Sequence, residues 1–285
     1  MFLVLLVVEM QFPNLSNALC KQPFDPGART TPSTPLVLHL PHASTVIPAA
    51  ALEDYCVPPD VLRHELARLT DWYTDELFGD RFAPEQIVRA HVSRLVVDVE
   101  RFADDADEPC ARLGMGAVYI STTDGTPLRR VSAERRVELM EAHYWPHHRA
   151  LDSAARASLE AFGRCIIVDA HSFPTTPLRT QRDFGVAPEI GIGTDPTHTS
   201  PALRDFAVAF FQHHGFSTGV DTPFSGTMVP NAYYQQDTRV QSIMIEVRRD
   251  LYLDEATTER GPGFRRVQAV LTEFRVGLEA LSMAG

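Results

Sequence analysis

Lysine is almost absent from this chain of 285 residues: Lys21 is the only one, and the other 25 of its 26 basic residues are arginine. Positive charge as a whole is in deficit, with 26 basic residues against 37 acidic and a formal net charge of −11. Nucleic acids and anionic membranes bind proteins with a surplus of cations, so partners of both kinds are argued against. Cysteines are few, and Cys20, Cys56, Cys110 and Cys165 form no Cys-x-x-Cys pair, which rules out a finger-type structural zinc. The compact zinc motifs His-Glu-x-x-His and His-x-x-Glu are missing, as are internal repeats and low-complexity tracts. The apolar run Met1 to Val8 is ended by Glu9, far short of the ~20 residues that span a bilayer.

What is present is the composition of an ordinary globular protein, 44% apolar and 22% charged. A signal peptide would carry a basic first region, which is absent here, although Ser16-Asn17-Ala18 resembles a cleavage site. Residues 1–30 are therefore expected to be a leader or extended segment, residues 31–285 a single domain, and the location cytoplasmic.

Short apolar runs bounded by proline and polar residues predict buried strands at Leu36–Leu40, 86–99, 164–171, 216–221 and Gln241–Val247. Helical spacing predicts helices at 59–80, at 132–162 with a break at Pro146, at 201–214 and at 262–282. Loops are expected at 102–128, 172–200 and 223–236. Strands alternating with helices predict an α/β fold, a three-layer α/β/α sandwich around a mostly parallel sheet. In such sheets function gathers beyond the carboxyl ends of the strands.

Three strands end in groups able to ligate a metal. His42 follows the first strand, His171 ends Val168-Asp-Ala-His, and Glu246 lies in Ile243-Met-Ile-Glu-Val. Two histidines with a carboxylate and an open position suit a catalytic zinc, and a further glutamate can accept a proton from water. The competing reading makes each histidine a hydrogen-bonded loop residue and pairs Glu246 with Arg248 or Arg249. Arg94 and Arg101 are seven apart, which on a continuous strand would aim them at opposite faces, so a bend must intervene if both reach one site. Arg94 and Arg101 have a structural alternative as partners of Asp98 or Asp104. His39 and His91 read as core.

Six ordered blocks resemble the N-formylglutamate amidohydrolase family. They are Leu36-Val-Leu-His-Leu-Pro-His-Ala-Ser44, Thr70-Asp-Trp-Tyr-Thr-Asp-Glu-Leu-Phe78, Ser93-Arg-Leu-Val-Val-Asp-Val-Glu-Arg101, Tyr144-Trp-Pro-His-His-Arg-Ala-Leu151, Val168-Asp-Ala-His-Ser172 and Ile245-Glu-Val-Arg-Arg-Asp-Leu-Tyr252. Ser44 stands where the family's turn has glycine, and Glu100 where its strand block has asparagine, which marks a divergent member.

The resemblance implies a fold like that of the zinc carboxypeptidases, of phosphorylase/hydrolase type, around one zinc or another divalent ion. It implies His42 and His171 as ligands, with Asp71 the acidic ligand because Thr45, three residues after His42, cannot serve. Asp71 also has a reading as a helix N-cap. Glu246 would be the general base, Arg101 would grip a substrate carboxylate, and Arg94 would stabilise the oxyanion or a second carboxylate. Arg179, in the loop after His171, would supply a further cation. The substrate implied is a small anionic N-acyl amino acid, N-formyl-L-glutamate, hydrolysed to formate and glutamate as in histidine breakdown. Hydrolysis of another N-acyl amino acid or small peptide, or non-catalytic binding of metal or carboxylate, are the alternatives.

Overall fold

The computed structural model describes residues 32–177 and 186–284. Its elements, in chain order, are β1 (Leu36–Leu40), α1 (Ala49–Leu52), α2 (Pro59–Leu69), α3 (Thr74–Phe78), β2 (Ile87–Arg89), α4 (Ala133–Leu139), α5 (Trp145–Phe162), β3 (Cys165–Phe173), β4 (Ile190–Gly193), α6 (Pro201–His213), β5 (Thr218–Val220), β6 (Val240–Arg248), β7 (Leu253–Asp254), β8 (Glu259–Arg260) and α7 (Phe264–Ala284). Six strands form one sheet in the order β2-β1-β3-β6-β4-β5, and β7 and β8 pair separately. The sheet is parallel from β2 to β6, and β4 pairs antiparallel with β6.

The period-2 alternation of each strand builds the layers. Leu36, Leu38 and Leu40 of β1, Ile166, Val168 and Ala170 of β3, and Ile243, Ile245 and Val247 of β6 share one face and pack with α3, α6 and α7. Val37 and Ile167 turn the other way, onto Leu151 and Ala155 of α5. The expected α/β/α sandwich is what forms. Alternation also puts His39, Asp169, His171, Met244 and Glu246 on the α5 side, with His171 directly opposite Glu246 in the β3–β6 register.

Several expectations are corrected. The second strand region shrinks to Ile87–Arg89, and Ser93 to Val99 is a buried series of turns. The backbone there makes no ladder, Val96 N donating to Ser93 O within a turn and Asp98 N to the distant Ala117 O, so burial without a strand explains the apolar run. His91, read as core, is exposed. The loop expected at 172–200 contains β4, whose Gly-Ile-Gly pattern hides its strand character. A Cβ at Gly191 would lie 3.2 Å from Glu246 Cβ, and one at Gly193 would collide with Met244 and the Gly226 carbonyl. Glycine is what lets this strand sit beside β6 and the following loop.

The helix expected over 59–80 breaks at Thr70, which is extended, and Tyr73 takes a left-handed φ of 61°. That break turns Asp71 inward. In the 132–162 helix the break at Pro146 is absorbed by a π-helical turn, Met140–Tyr144, because proline has no N–H to continue the ladder.

Candidate active site

The carboxyl ends of β1, β3 and β6 open into a cavity of about 390 Å³ whose walls include His42, Asp71, Arg94, Glu100, Arg101, His171 and Glu246. His42 comes from the turn after β1, Asp71 from the break between α2 and α3, and His171 from β3. The Asp71 backbone N–H donates to the His42 carbonyl at 3.0 Å, which ties the first two together. The three side chains are buried, and one ligating atom of each lies within 4.8 Å of the others.

Proton accounting fixes which atoms face inward. His42 Nε2 lies 2.8 Å from Asp98 Oδ1, and His171 Nε2 lies 3.1 Å from Asp169 Oδ1 and 3.2 Å from Glu100 Oε1. An ionised carboxylate only accepts, so both Nε2 atoms carry protons. Both Nδ1 atoms therefore face one oxygen, Asp71 Oδ2, at 3.5 Å from His42 and, within hydrogen-bonding distance, 3.1 Å from His171. His42 Nδ1 is buried without a hydrogen-bond partner. Lone pairs against an ionised oxygen repel unless a cation or an extra proton intervenes.

The electrostatics agree. Burial alone would raise the Asp71 carboxyl, but hydrogen bonds from His171 and His42 hold it well below the usual range. Burial would likewise lower His171, yet Glu100 and Asp169 hold it well above its usual value. Glu246, 6% exposed, is pushed up to about 8 by burial, with His171 opposing and the charges of Asp71 and Glu100 adding to the rise. Its Oε2 is buried and unpartnered, so the competing salt bridge to Arg248 or Arg249 is not formed. Arg248 pairs with Asp250 instead, and Arg249 with Asp71.

The profile of a known family covers most of this arrangement: that of N-formylglutamate amidohydrolase matches residues 34–253. The chain belongs to that family. Membership places it among hydrolases of amide bonds. An N-formylglutamate deformylase of Pseudomonas aeruginosa is 29% identical, over 78% of this chain and 83% of its own. One from Pseudomonas putida is 25% identical, over 78% and 82%. A crystal structure of N-formylglutamate amidohydrolase from Ralstonia eutropha JMP134 superposes with a TM-score of 0.75 at 24% identity, covering 88% of this chain and 95% of that one.

Within this N-formylglutamate amidohydrolase fold, the expected residues fall into three groups. His42, Asp71, His171 and Glu246 meet at the cavity floor, and Asp71 serves as no helix cap, since Tyr73 holds that position for α3. Arg94 and Arg101 both reach the cavity, because the turns of 93–99 supply the required bend. Arg94, however, gives Nε and Nη2 to Asp98 at 3.0 and 2.7 Å, as its structural alternative required. Arg101 is held by the same carboxylate, its Nε 3.5 Å from Asp98 Oδ2 and its Nη1 3.7 Å from Glu108 Oε1, so the structural alternative is met for it as well. Arg179 lies outside the described residues.

Other participants went unrecognised. Asp98 collects His42, Arg94 and the Tyr119 hydroxyl, the last at 2.5 Å. Asp169 takes His171 and His39 on Oδ1, and Met228 N–H and Thr227 Oγ1 on Oδ2. The Val168-Asp-Ala-His alternation carried that signal, since residues two apart on a strand share a face. His39, Glu100 and Asp169 also gather closely. Their centre is a hydrogen bond, His39 Nδ1 to Asp169 Oδ1 at 2.7 Å, which makes them supports of His171.

Proposed function

We propose that the chain hydrolyses the formyl amide of N-formyl-L-glutamate to formate and glutamate, using a divalent metal held by His42, Asp71 and His171. The observation that carries this reading is the convergence of two histidine Nδ1 atoms on one carboxylate oxygen beside the unpaired Glu246.

The residues fit zinc or a similar divalent ion. Tetrahedral bonds of about 2.0–2.1 Å separate ligand atoms by roughly 3.3 Å, and the 3.1 and 3.5 Å separations straddle that edge. Each histidine gives its outer N–H to a carboxylate, the support metal-bound imidazoles usually have. A dication would also relieve the mutual repulsion of Asp71, Glu100 and Glu246. When bound, such an ion polarises the formyl carbonyl and makes water a stronger acid near neutral pH.

The chain's own groups do the rest. Glu246 takes the proton of the attacking water at Oε2 and passes it to the departing amine nitrogen, so that the C–N bond breaks to a neutral amine. Arg101, on the cavity wall and held in place by Asp98 and Glu108, holds the substrate α-carboxylate. Arg94 is fixed through Asp98, which leaves chiefly Nη1 to face the oxyanion.

A second reading, hydrolysis of another N-acyl amino acid, is favoured by Glu100. Its carboxylate stands in the cavity where the family block has asparagine, next to the arginines a dianionic substrate would need. The test is metal content by elemental analysis with formate release from N-formyl-L-glutamate, for the wild type and His171→Ala. One metal per chain, with formate release lost together with the metal in the variant, is expected. Metal without formate release would favour the second reading, and absence of metal after reconstitution would overturn the site.

A further inference from the structure

We infer that Arg249 is a positioning residue for the metal centre, fixing Asp71 so that a single oxygen, Oδ2, faces the two histidines. The inference rests on the reading of Asp71 as a ligand.

A carboxylate on a short break between helices can turn either oxygen, or both, toward a cation. Here one is taken. Arg249 Nη2 lies 3.2 Å from Asp71 Oδ1, which leaves Oδ2 to His42 and His171. The guanidinium has little freedom to choose otherwise. Its Nη1 donates to the Arg68 carbonyl at 2.7 Å, its Nε to Ser172 Oγ at 3.3 Å, and Nη2 again to the Ser172 carbonyl at 3.2 Å. It is 4% exposed, so these bonds are made out of water's reach.

The acceptors come from three places that must stay in register. Arg68 is the penultimate residue of α2, Asp71 lies in the break after it, and Ser172 directly follows His171 on β3. Arg249 itself begins the turn after β6, three residues beyond Glu246. One planar fork thus ties the acidic ligand to the strand carrying a histidine ligand and to the strand carrying the base. The same contact draws Arg249 away from Glu246, whose Oε2 stays unpaired. Lysine could not substitute: three donors on one nitrogen cannot reach four acceptors spread around a planar group.

The test is the dissociation constant for zinc by chelator competition, with the visible spectrum of the cobalt-substituted protein as a geometric signature, in wild type, Arg249→Lys and Arg249→Gln. Loss of an orienting partner typically weakens metal binding by about 10- to 100-fold, and that is expected for both variants, with an altered cobalt spectrum. A merely structural arginine would lower the melting temperature of the metal-free chain and leave affinity and spectrum alone. Affinity within twofold of wild type in both variants overturns the inference. If both misfold, Ser172→Ala decides, since it removes only the Nε anchor: a several-fold loss of affinity supports the inference and an unchanged affinity overturns it. Wild type that binds no metal brings down the parent reading as well, so the two failures are distinguishable.

Discussion

Two pairs of buried histidines stand side by side in this molecule, their ring centroids 5.0 Å apart in one and 5.1 Å in the other. His39 and His147 hydrogen-bond to each other, Nε2 to Nε2 at 2.8 Å, and His39 spends its remaining nitrogen on Asp169. His42 and His171 make no bond to one another; each gives its outer nitrogen to a carboxylate and turns the inner one toward the same Asp71 oxygen. Burial and residue type are the same in both pairs. What separates the proposed ligand pair from the supporting pair is that its inward nitrogens meet on one carboxylate oxygen and not on each other.

That contrast can be broken first at the base beside the ligand pair. Glu246→Gln is expected to lower kcat by about 10²- to 10⁴-fold while the metal stays bound, measured by formate release and elemental analysis. The same variant has a stability signature in the metal-free protein. The folded-state value of Glu246, about 8, lies above the unfolded value of 4.5, so folding favours its protonated form. The destabilisation from its ionisation is absent below about pH 4.5 and grows until about pH 8. Glutamine should therefore raise the melting temperature at pH 8, and the gain should vanish near pH 4.5.

A smaller effect sharpens the difference in how the outer nitrogens are used. Asp98→Asn removes the ionised acceptor that fixes the His42 proton on Nε2, and metal affinity should fall by about tenfold or more, read by chelator competition. The smallest effect belongs to the supporting pair. Burial, with the neighbouring His39, keeps His147 well below its usual pKa, so it is neutral in the fold. His147→Leu should cost about 1–3 kcal/mol in denaturant unfolding, through the partner left unpaired, and leave one metal per chain. Loss of the metal in that variant would erase the distinction between the pairs.

Much of the site was legible because it sits on strand ends. His42, His171 and Glu246 each follow or close an apolar run, and the α/β/α layering follows from alternation along those same runs. Asp71 was legible only through its sequence block, since helical spacing continues across it and hides the break at Thr70. The strand expected at Ser93 to Val99 shows the limit of hydrophobic pattern: a run of buried side chains looks the same whether its backbone pairs in a ladder or closes on itself in turns. Asp98 lies four residues from Arg94 and was legible as its partner, whereas the partner of Arg249 lies beyond any local pattern, because Asp71 reaches it only through the tertiary fold. β4 escaped notice for a related reason, its two glycines being chosen by the neighbours they must admit.

The strand order also sets a timetable. β6 is the last of the six described sheet strands to leave the ribosome, yet it sits between β3 and β4 and, among the described residues, joins β2-β1-β3 to β4-β5. Until it inserts, the earlier strands are two separate fragments, and His171 waits without the glutamate and arginine that complete its surroundings. A product cut short before residue 240 would therefore hold the candidate site without the strand that carries Glu246 and leads into Arg249.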